Sequence, residues 1–120
     1  MSTYKQHLDL AAERFLAGEE QYREEKFHTA AHLFINSAIN YNNALCQKFL
    51  KKIPSRKSHY DNFPELAEFL EEDRIKYQKA YEFLISHKSE ADYGVDFPER
   101  LAQQVYRRAN TLKEIAEEKL

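Results

Sequence analysis

Apolar side chains return at three- and four-residue intervals along most of the chain, which is the spacing of amphipathic helices. The first stripe predicts a helix that ends between Gly18 and Tyr22, and its members are Tyr4, Leu8, Ala11, Ala12, Phe15 and Leu16. A longer helix is predicted from about Glu24 to Lys51 on a stripe formed by Phe27, Ala31, Phe34, Ala38, Tyr41, Leu45 and Phe49. Because other apolar residues lie off this stripe, we expect the second helix to be central in the fold or to face a second subunit.

The second helix also has a polar but uncharged stripe opposite its main apolar one. Its members are Asn36, Asn40, Asn43 and Gln47. Surface helices usually present Lys and Glu to water, because asparagine has a weaker helix propensity and brings no charge. The stripe is either a solvated face that uses amides or a hydrogen-bonded surface for a subunit or ligand, since interface cores are depleted in charge. We treat it as the candidate dimer interface.

The helical pattern breaks between Lys48 and Tyr60, which predicts the principal loop. The segment contains five cations and no carboxylate: Lys48, Lys51, Lys52, Arg56 and Lys57. A local positive charge of this kind can bind phosphates. The predicted ligand or RNA contacts are therefore Lys51, Lys52, Arg56, Lys57 and His59. The alternative is a loop that is basic only for solubility, because no glycine-rich phosphate loop accompanies it.

Two helices are predicted directly after this loop. Asp61 or Asn62 can cap the first of them, with Pro64 in its first turn, where a missing N–H is harmless. The next helix is predicted to start near Asp73. Because no Gly or Pro lies between residues 65 and 93, the two helices can be nearly continuous.

The last predicted helix can be capped by Asp96, with Pro98 and Glu99 in its first turn. Its apolar stripe contains Leu101, Val105, Leu112, Ile115, Ala116 and Leu120. The connections are mostly short, so consecutive helices are expected to be antiparallel neighbours. The fold prediction is all-α: an up-and-down bundle of four long helices plus a short one.

Composition supports this class and limits the function. Two glycines and three prolines are too few for the many turns of an all-β protein. With 120 residues, the chain is expected to form a single domain, residues 1–120, with a real core. The formal net charge of -2 provides no overall field that would draw the protein onto nucleic acid or an anionic membrane. Any such binding must be local.

The cellular location is inferred from three features of the sequence. The single cysteine, Cys46, cannot form an intramolecular disulfide, and its alanine-rich surroundings predict a buried thiol. The first residues lack the cationic start and apolar run of a secretory signal. No segment approaches the ~18 consecutive apolar residues that span a bilayer. We therefore expect a cytoplasmic protein without a membrane partner.

Chemistry can be read most directly in the polar octet from His87 to Gly94. Lys88 and Asp92 are four residues apart and can pair on one face of a helix, which Gly94 would end. Lys88, Asp92 and Tyr93 are the candidate catalytic residues. The structural alternative is an ion pair worth roughly a few tenths of a kcal/mol, followed by a tyrosine at the edge of the core and a helix cap.

This octet resembles the Arg-x-x-x-Asp-Tyr-Gly signature of small prokaryotic HEPN-domain proteins, with Lys88 in place of the arginine. The predicted helix order is similar to the HEPN bundle over nearly the whole chain, including the small-residue second helix and the loop histidine His59. The resemblance implies a dimerising bundle that works beside a minimal nucleotidyltransferase or as a ribonuclease toxin.

The octet departs from the nuclease members of that family. These resemble one another in an arginine followed four to six residues later by a histidine, and the two meet across a dimer cleft to cut RNA. Here Asp92 and Tyr93 stand where the histidine is expected, and neither is a general base poised near neutral pH. Arg56 and His59 are only three residues apart and do not restore the pattern.

A metal-binding alternative comes from His28 and His32, which are four residues apart with Glu24 and Glu25 one turn earlier. Two imidazoles on one helix face can bind one metal ion. However, no third ligand stands at a fixed spacing, and no glutamate directly follows the first histidine. We therefore predict neither a metal nor a cofactor.

The resulting functional prediction is a non-catalytic, HEPN-like interaction module. We expect it to be a homodimer that partners a minimal nucleotidyltransferase or binds a nucleotide or RNA. The alternative is a metal-independent endoribonuclease toxin with a degenerate motif, which would use Lys88, Asp92 and Tyr93 around a dimer cleft.

Overall fold

The computed structural model describes residues 3–55, 59, 62–94 and 96–120. The α-helices are, in chain order, α1 (Tyr4–Arg23), α2 (Phe27–Leu50), α3 (Phe63–Leu70), α4 (Arg74–Ser86), α5 (Lys88–Tyr93) and α6 (Glu99–Lys119). A single 3₁₀ turn at Glu71–Asp73 joins α3 to α4, and none of the described residues lies in a β-strand. The prediction of an all-α bundle is confirmed. Two short helices, α3 and α5, accompany the four long ones in this part of the chain.

Contacts between side chains give the relative directions of the helices. Two pairs of rings make α1 antiparallel to α2: Phe15 with Phe34 and Tyr22 with Phe27. Two pairs make α2 and α6 run in the same direction: Phe34 with Tyr106 and Tyr41 with Glu117. The ion pair between Lys119 and Asp73, together with Arg108 over the ring of Phe83, makes α6 antiparallel to α4. The long helices therefore alternate in direction along the chain.

Helix α2 lies at the centre of this bundle, as its apolar residues on several sides predicted. It packs against α1, α6, α5, α3 and α4. Its fully buried side chains include Phe34, Ile35, Tyr41 and Leu45. Cys46 is buried too, and burial raises the pKa of its thiol to about 12, so the reactive thiolate is disfavoured.

The ends of the helices agree only in part with the predicted caps. Thr3 forms a capping box with Gln6 at the start of α1. Asn62 directly precedes α3, and Pro64 lies in its first turn, as predicted. Asp61, the other proposed cap, lies outside the described residues. The prediction of Asp96 as the α6 cap is wrong, because the helix begins only after Pro98.

The segment from α3 to α5 is nearly continuous, as the lack of Gly and Pro predicted, but two residues change its direction. Glu71, the first residue of the 3₁₀ turn, has a positive φ of 54° and ends α3. His87 leaves helical geometry with φ -104° and ψ 5°, so the octet forms its own short helix, α5. This second break matters most, because α5 then packs against α2. No helix in the described part of the chain is both long and apolar enough to cross a membrane.

Candidate functional site

The octet is held against the beginning of α2 by a small buried residue and a histidine. Ala91 is 3 % exposed, so α5 approaches α2 closely at this point. Nε2 of His28 donates a hydrogen bond to the Ala91 carbonyl oxygen over 2.7 Å. The ring of Phe97 stacks on the imidazole of His28, with a centroid separation of 6.0 Å and an interplanar angle of 8°. His28 thus anchors α5 to α2 at Ala91.

One turn further along α2, a second histidine reaches the acidic residue of the octet. Nδ1 of His32 lies 2.8 Å from Oδ1 of Asp92. The other carboxylate oxygen, Oδ2, accepts a hydrogen bond from Nζ of Lys88. The predicted pairing of Lys88 with Asp92 is therefore present, and it is extended by an imidazole from another helix. We call Lys88, Asp92 and His32 the α2–α5 cluster.

The cluster lies at the edge of an open pocket. The pocket has a volume of about 270 Å³ and is lined by His28, Thr29, His32, Ala91 and Asp92. Within the cluster, the carboxylate of Asp92 is the most protected group, with its side chain 12 % exposed, whereas that of His32 is 49 % exposed. A ligand in the pocket would therefore meet the imidazole directly, while the carboxylate acts through it.

The hydrogen bonds determine which nitrogen of His32 can react. A carboxylate oxygen only accepts, so Nδ1 of His32 carries the proton and donates it to Asp92. Nε2 then has the lone pair, and no described residue forms a hydrogen bond with it. A carboxylate that orients an imidazole in this way leaves the outer nitrogen ready to accept a proton. The arrangement can support general base chemistry beside a lysine cation.

The surroundings also keep Asp92 ionised. Burial alone would raise the pKa of its carboxyl. The hydrogen bonds from Lys88 and His32, together with the positive charge of Lys88, outweigh that effect, and the pKa of Asp92 is lower than its ordinary value. Asp92 is therefore a hydrogen-bond acceptor and not a proton donor at neutral pH.

The hydrogen bonds leave one nitrogen of each histidine for the metal alternative. Nε2 of His28 donates to a carbonyl and Nδ1 of His32 donates to a carboxylate, so only Nδ1 of His28 and Nε2 of His32 could ligate a metal ion. Within the described residues, no group of three or more His, Cys, Asp and Glu side chains could hold a metal ion.

The last two residues of the octet have different positions. Tyr93 is 84 % exposed and forms no hydrogen bond with a described residue, so the structure does not bring it into the cluster. Gly94 follows α5 with extended dihedral angles, φ -73° and ψ 157°, and not in the left-handed conformation typical of a glycine cap. A Cβ atom at this position would lie 2.7 Å from the carbonyl oxygen of Glu90, which explains the absence of a side chain.

The predicted basic loop is only partly described, since Arg56 and Lys57 lie outside the described residues. Lys51 is exposed and ends α2 in a left-handed conformation. Lys52 pairs with Glu65 over 3.1 Å, and Lys48 donates to the carbonyl oxygen of Leu120. His59 donates its backbone N–H to the carbonyl of Ser55. Two of the cations are thus engaged by other parts of the chain, and the loop as an RNA contact stays a prediction.

The amide stripe of α2 is used partly inside the chain. Asn40 is buried, and its Oδ1 accepts a hydrogen bond from Arg14 of α1 over 2.7 Å. Asn36 donates to the carbonyl oxygen of His32, one turn earlier in α2. Asn43 and Gln47 are half-buried. Asn40 therefore joins α1 to α2, and a dimer interface formed by Asn36, Asn43 and Gln47 stays a prediction.

His32 is the residue whose role the sequence reasoning missed. Its spacing from His28 predicts only a possible metal ligand, because both lie on one face of α2. The signal was present in two i, i+4 pairs, His28 with His32 and Lys88 with Asp92. That these two pairs face each other depends on how α5 packs, which no local spacing reveals.

No family model, curated protein or solved structure matches the chain.

Proposed function

We propose that the chain is a HEPN-like domain that cleaves RNA without a metal ion at the α2–α5 cluster. The observation that carries this proposal is the hydrogen bond from His32 to Asp92, which places an oriented imidazole beside Lys88. The octet by itself lacked a general base, and His32 supplies one from α2. This support favours the endoribonuclease alternative over a non-catalytic module.

The proposed reaction uses the 2′-hydroxyl of RNA as the nucleophile. Nε2 of His32 removes the 2′-hydroxyl proton, and the 2′-oxygen forms a bond to phosphorus. Lys88 stabilises the additional negative charge on the phosphoryl oxygens. The bond between phosphorus and the 5′-oxygen then breaks, and this oxygen takes a proton from water. The products are a 2′,3′-cyclic phosphate and a 5′-hydroxyl end, and no metal or redox partner takes part.

The test is RNA cleavage by the purified full chain in EDTA. We expect fragments that end in 2′,3′-cyclic phosphate. His32→Gln should lower the cleavage rate by about 10²- to 10⁴-fold, which is the usual contribution of a general base. The matched control is His7→Gln, because His7 is also a partly exposed histidine and lies in α1, outside the octet and the α2–α5 cluster.

Two results would contradict the proposal. One is RNA that stays intact with the wild-type chain in EDTA. The other is cleavage that His32→Gln and His7→Gln affect equally. Circular dichroism of both variants should match that of the wild type, since the His32 side chain is half exposed.

A second candidate is the non-catalytic interaction module, a homodimer that partners a minimal nucleotidyltransferase. The observation that favours it is Tyr93, an aromatic side chain that is 84 % exposed beside the cluster. Tyrosine is enriched at protein interfaces. Under this hypothesis, Tyr93→Ser weakens the dimer in sedimentation experiments at micromolar concentration and leaves the monomer folded. A wild-type chain that sediments as a monomer would exclude the homodimer.

A further inference from the structure

Another cavity lies between α4 and α6. It has a volume of about 400 Å³ and is lined by Phe83, Gln104, Arg107 and Arg108. The guanidinium group of Arg108 lies over the ring of Phe83, 5.3 Å from its centroid. The lining therefore combines two permanent positive charges, an amide and an aromatic face, and it includes no carboxylate.

The charges of these arginines are not neutralised by any carboxylate in the described part of the chain. Among the described residues, neither Arg107 nor Arg108 forms an ion pair or donates a hydrogen bond to a carboxylate. Two cations of the basic loop differ in this respect, because Lys52 pairs with Glu65 and Lys48 donates to the carbonyl oxygen of Leu120. Exposed guanidinium groups without an acidic partner in a concave surface are suited to bind phosphate, since their planar donors match two phosphate oxygens at once.

The cavity is connected to the α2–α5 cluster through one pair of rings. Phe83, which forms the wall of the cavity, packs on His87 with a centroid distance of 4.7 Å. His87 immediately precedes α5, where Lys88 and Asp92 lie. An extended ligand held at the arginines could therefore continue along α5 toward the cluster.

We propose that this cavity binds the phosphate backbone of single-stranded RNA through Arg107 and Arg108. The inference rests on the proposed function, because the ligand of the cavity is taken to be the same RNA strand that is cleaved at the α2–α5 cluster. The two guanidinium groups contact phosphate oxygens, and Gln104 adds a neutral donor. A base can stack on the guanidinium plane of Arg108, which itself lies over the ring of Phe83. Binding of this kind tolerates many sequences.

The test measures binding separately from cleavage. The probe is a short, fluorescently labelled 2′-O-methyl oligoribonucleotide, which lacks the nucleophile and cannot be cut. Its anisotropy is titrated with the full chain at several KCl concentrations. The double variant Arg107→Gln/Arg108→Gln should bind roughly tenfold more weakly. Its plot of log affinity against log salt should be less steep by about 1.4, the value for two phosphate contacts to a single strand.

The matched control is Arg74→Gln. Arg74 is an exposed arginine at the start of α4, beside the Asp73–Lys119 pair and so at the end of the α4–α6 contact opposite to the cavity. We expect this variant to bind the probe like the wild type. An equal loss of affinity in Arg74→Gln and in the double variant would overturn the inference, because it would indicate a general charge effect. An unchanged salt slope in the double variant would overturn it as well.

Competition with a free mononucleotide provides the last comparison. Displacement of the probe by the mononucleotide at the same concentration as by unlabelled oligonucleotide would overturn the inference and indicate a small-molecule pocket. Failure of RNA cleavage is a separate result. If the chain leaves RNA intact but the double variant binds the probe more weakly, RNA binding at the cavity is supported and the catalytic proposal is rejected.

Discussion

Nδ1 of His32 lies 2.8 Å from Oδ1 of Asp92, although the two residues are 60 positions apart in the chain. Oδ2 of the same carboxylate accepts a hydrogen bond from Lys88. Asp92 therefore bonds a lysine of its own helix, α5, and a histidine of α2 at the same time. The carboxylate is mostly buried and the imidazole is half exposed. This is the order of burial expected where an acidic group positions a reactive base.

The first prediction concerns the role of Asp92 in cleavage. Asp92→Asn keeps the size of the side chain but allows the amide to donate a hydrogen bond to His32, which favours the wrong tautomer. We expect the single-turnover cleavage rate to fall by about 10²- to 10⁴-fold. Affinity for the uncleavable 2′-O-methyl probe should change much less. A variant that cuts RNA at the wild-type rate would show that Asp92 does not orient the base.

The second prediction concerns stability at low pH. The folded-state pKa of Asp92 lies below its ordinary value, so the folded protein favours the ionised carboxylate. The stabilisation is fully present above the pKa of an unfolded aspartate, about 4. It is lost as the pH falls from there through the lower folded-state pKa.

Urea unfolding from neutral pH to about pH 3 measures this contribution as the difference between the wild type and Asp92→Asn. We expect the wild type to be more stable at neutral pH and the difference to shrink in acid. A difference that stays constant over this range would contradict the pKa shift. The comparison between variants is necessary because other carboxylates also titrate in the same range.

The third prediction concerns the close contact between α1 and α2 at Gly18. A Cβ atom at this position would lie 2.8 Å from Cε1 of Phe34, whose ring is held between Phe15 and Tyr106. Gly18→Ala gains about 1 kcal/mol in helix propensity, but overpacking typically costs about 1–3 kcal/mol. We expect a net loss of stability in thermal unfolding.

A double variant tests the cause of that loss. Phe34→Leu removes the ring atoms that the new methyl group would meet. The further loss caused by Gly18→Ala should therefore be smaller in the Phe34→Leu background than in the wild type. Equal losses in both backgrounds would show that Phe34 is not the obstacle.

The fourth prediction concerns a hydrogen bond inside the core. The hydroxyl of Tyr77 donates to Oδ1 of Asn42 over 2.7 Å, and both residues are buried. Tyr77→Phe leaves that oxygen without its partner, so we expect the free energy of unfolding to fall by about 1–3 kcal/mol.

The matched control is Tyr41→Phe. The hydroxyl of Tyr41 donates to Glu117, whose side chain is 42 % exposed and can be hydrated after the change. The loss should therefore be smaller than for Tyr77→Phe. A larger loss for Tyr41→Phe would contradict this explanation, and urea unfolding of both variants measures it.

Hydrophobic spacing alone predicted the all-α class, the central position of α2 and the approximate extent of the long helices. These features follow from local periodicity, because burying an apolar stripe requires a helix of that phase. The same reasoning did not predict that His87 breaks the helix before the octet or that α6 starts after Pro98. Such boundaries depend on tertiary contacts such as those of the buried Ala91 and Phe97.

By itself, the sequence determined the helical periodicity and the i, i+4 pairing of Lys88 with Asp92, since both are properties of neighbouring residues on one helix. Tertiary structure alone decided that Asp92 meets His32 and that Asn40 meets Arg14. The physical reason is that these contacts depend on the rotation and approach of two packed helices. Helix rotation and approach are set by the whole core, in which each side chain must fit its neighbours at close packing.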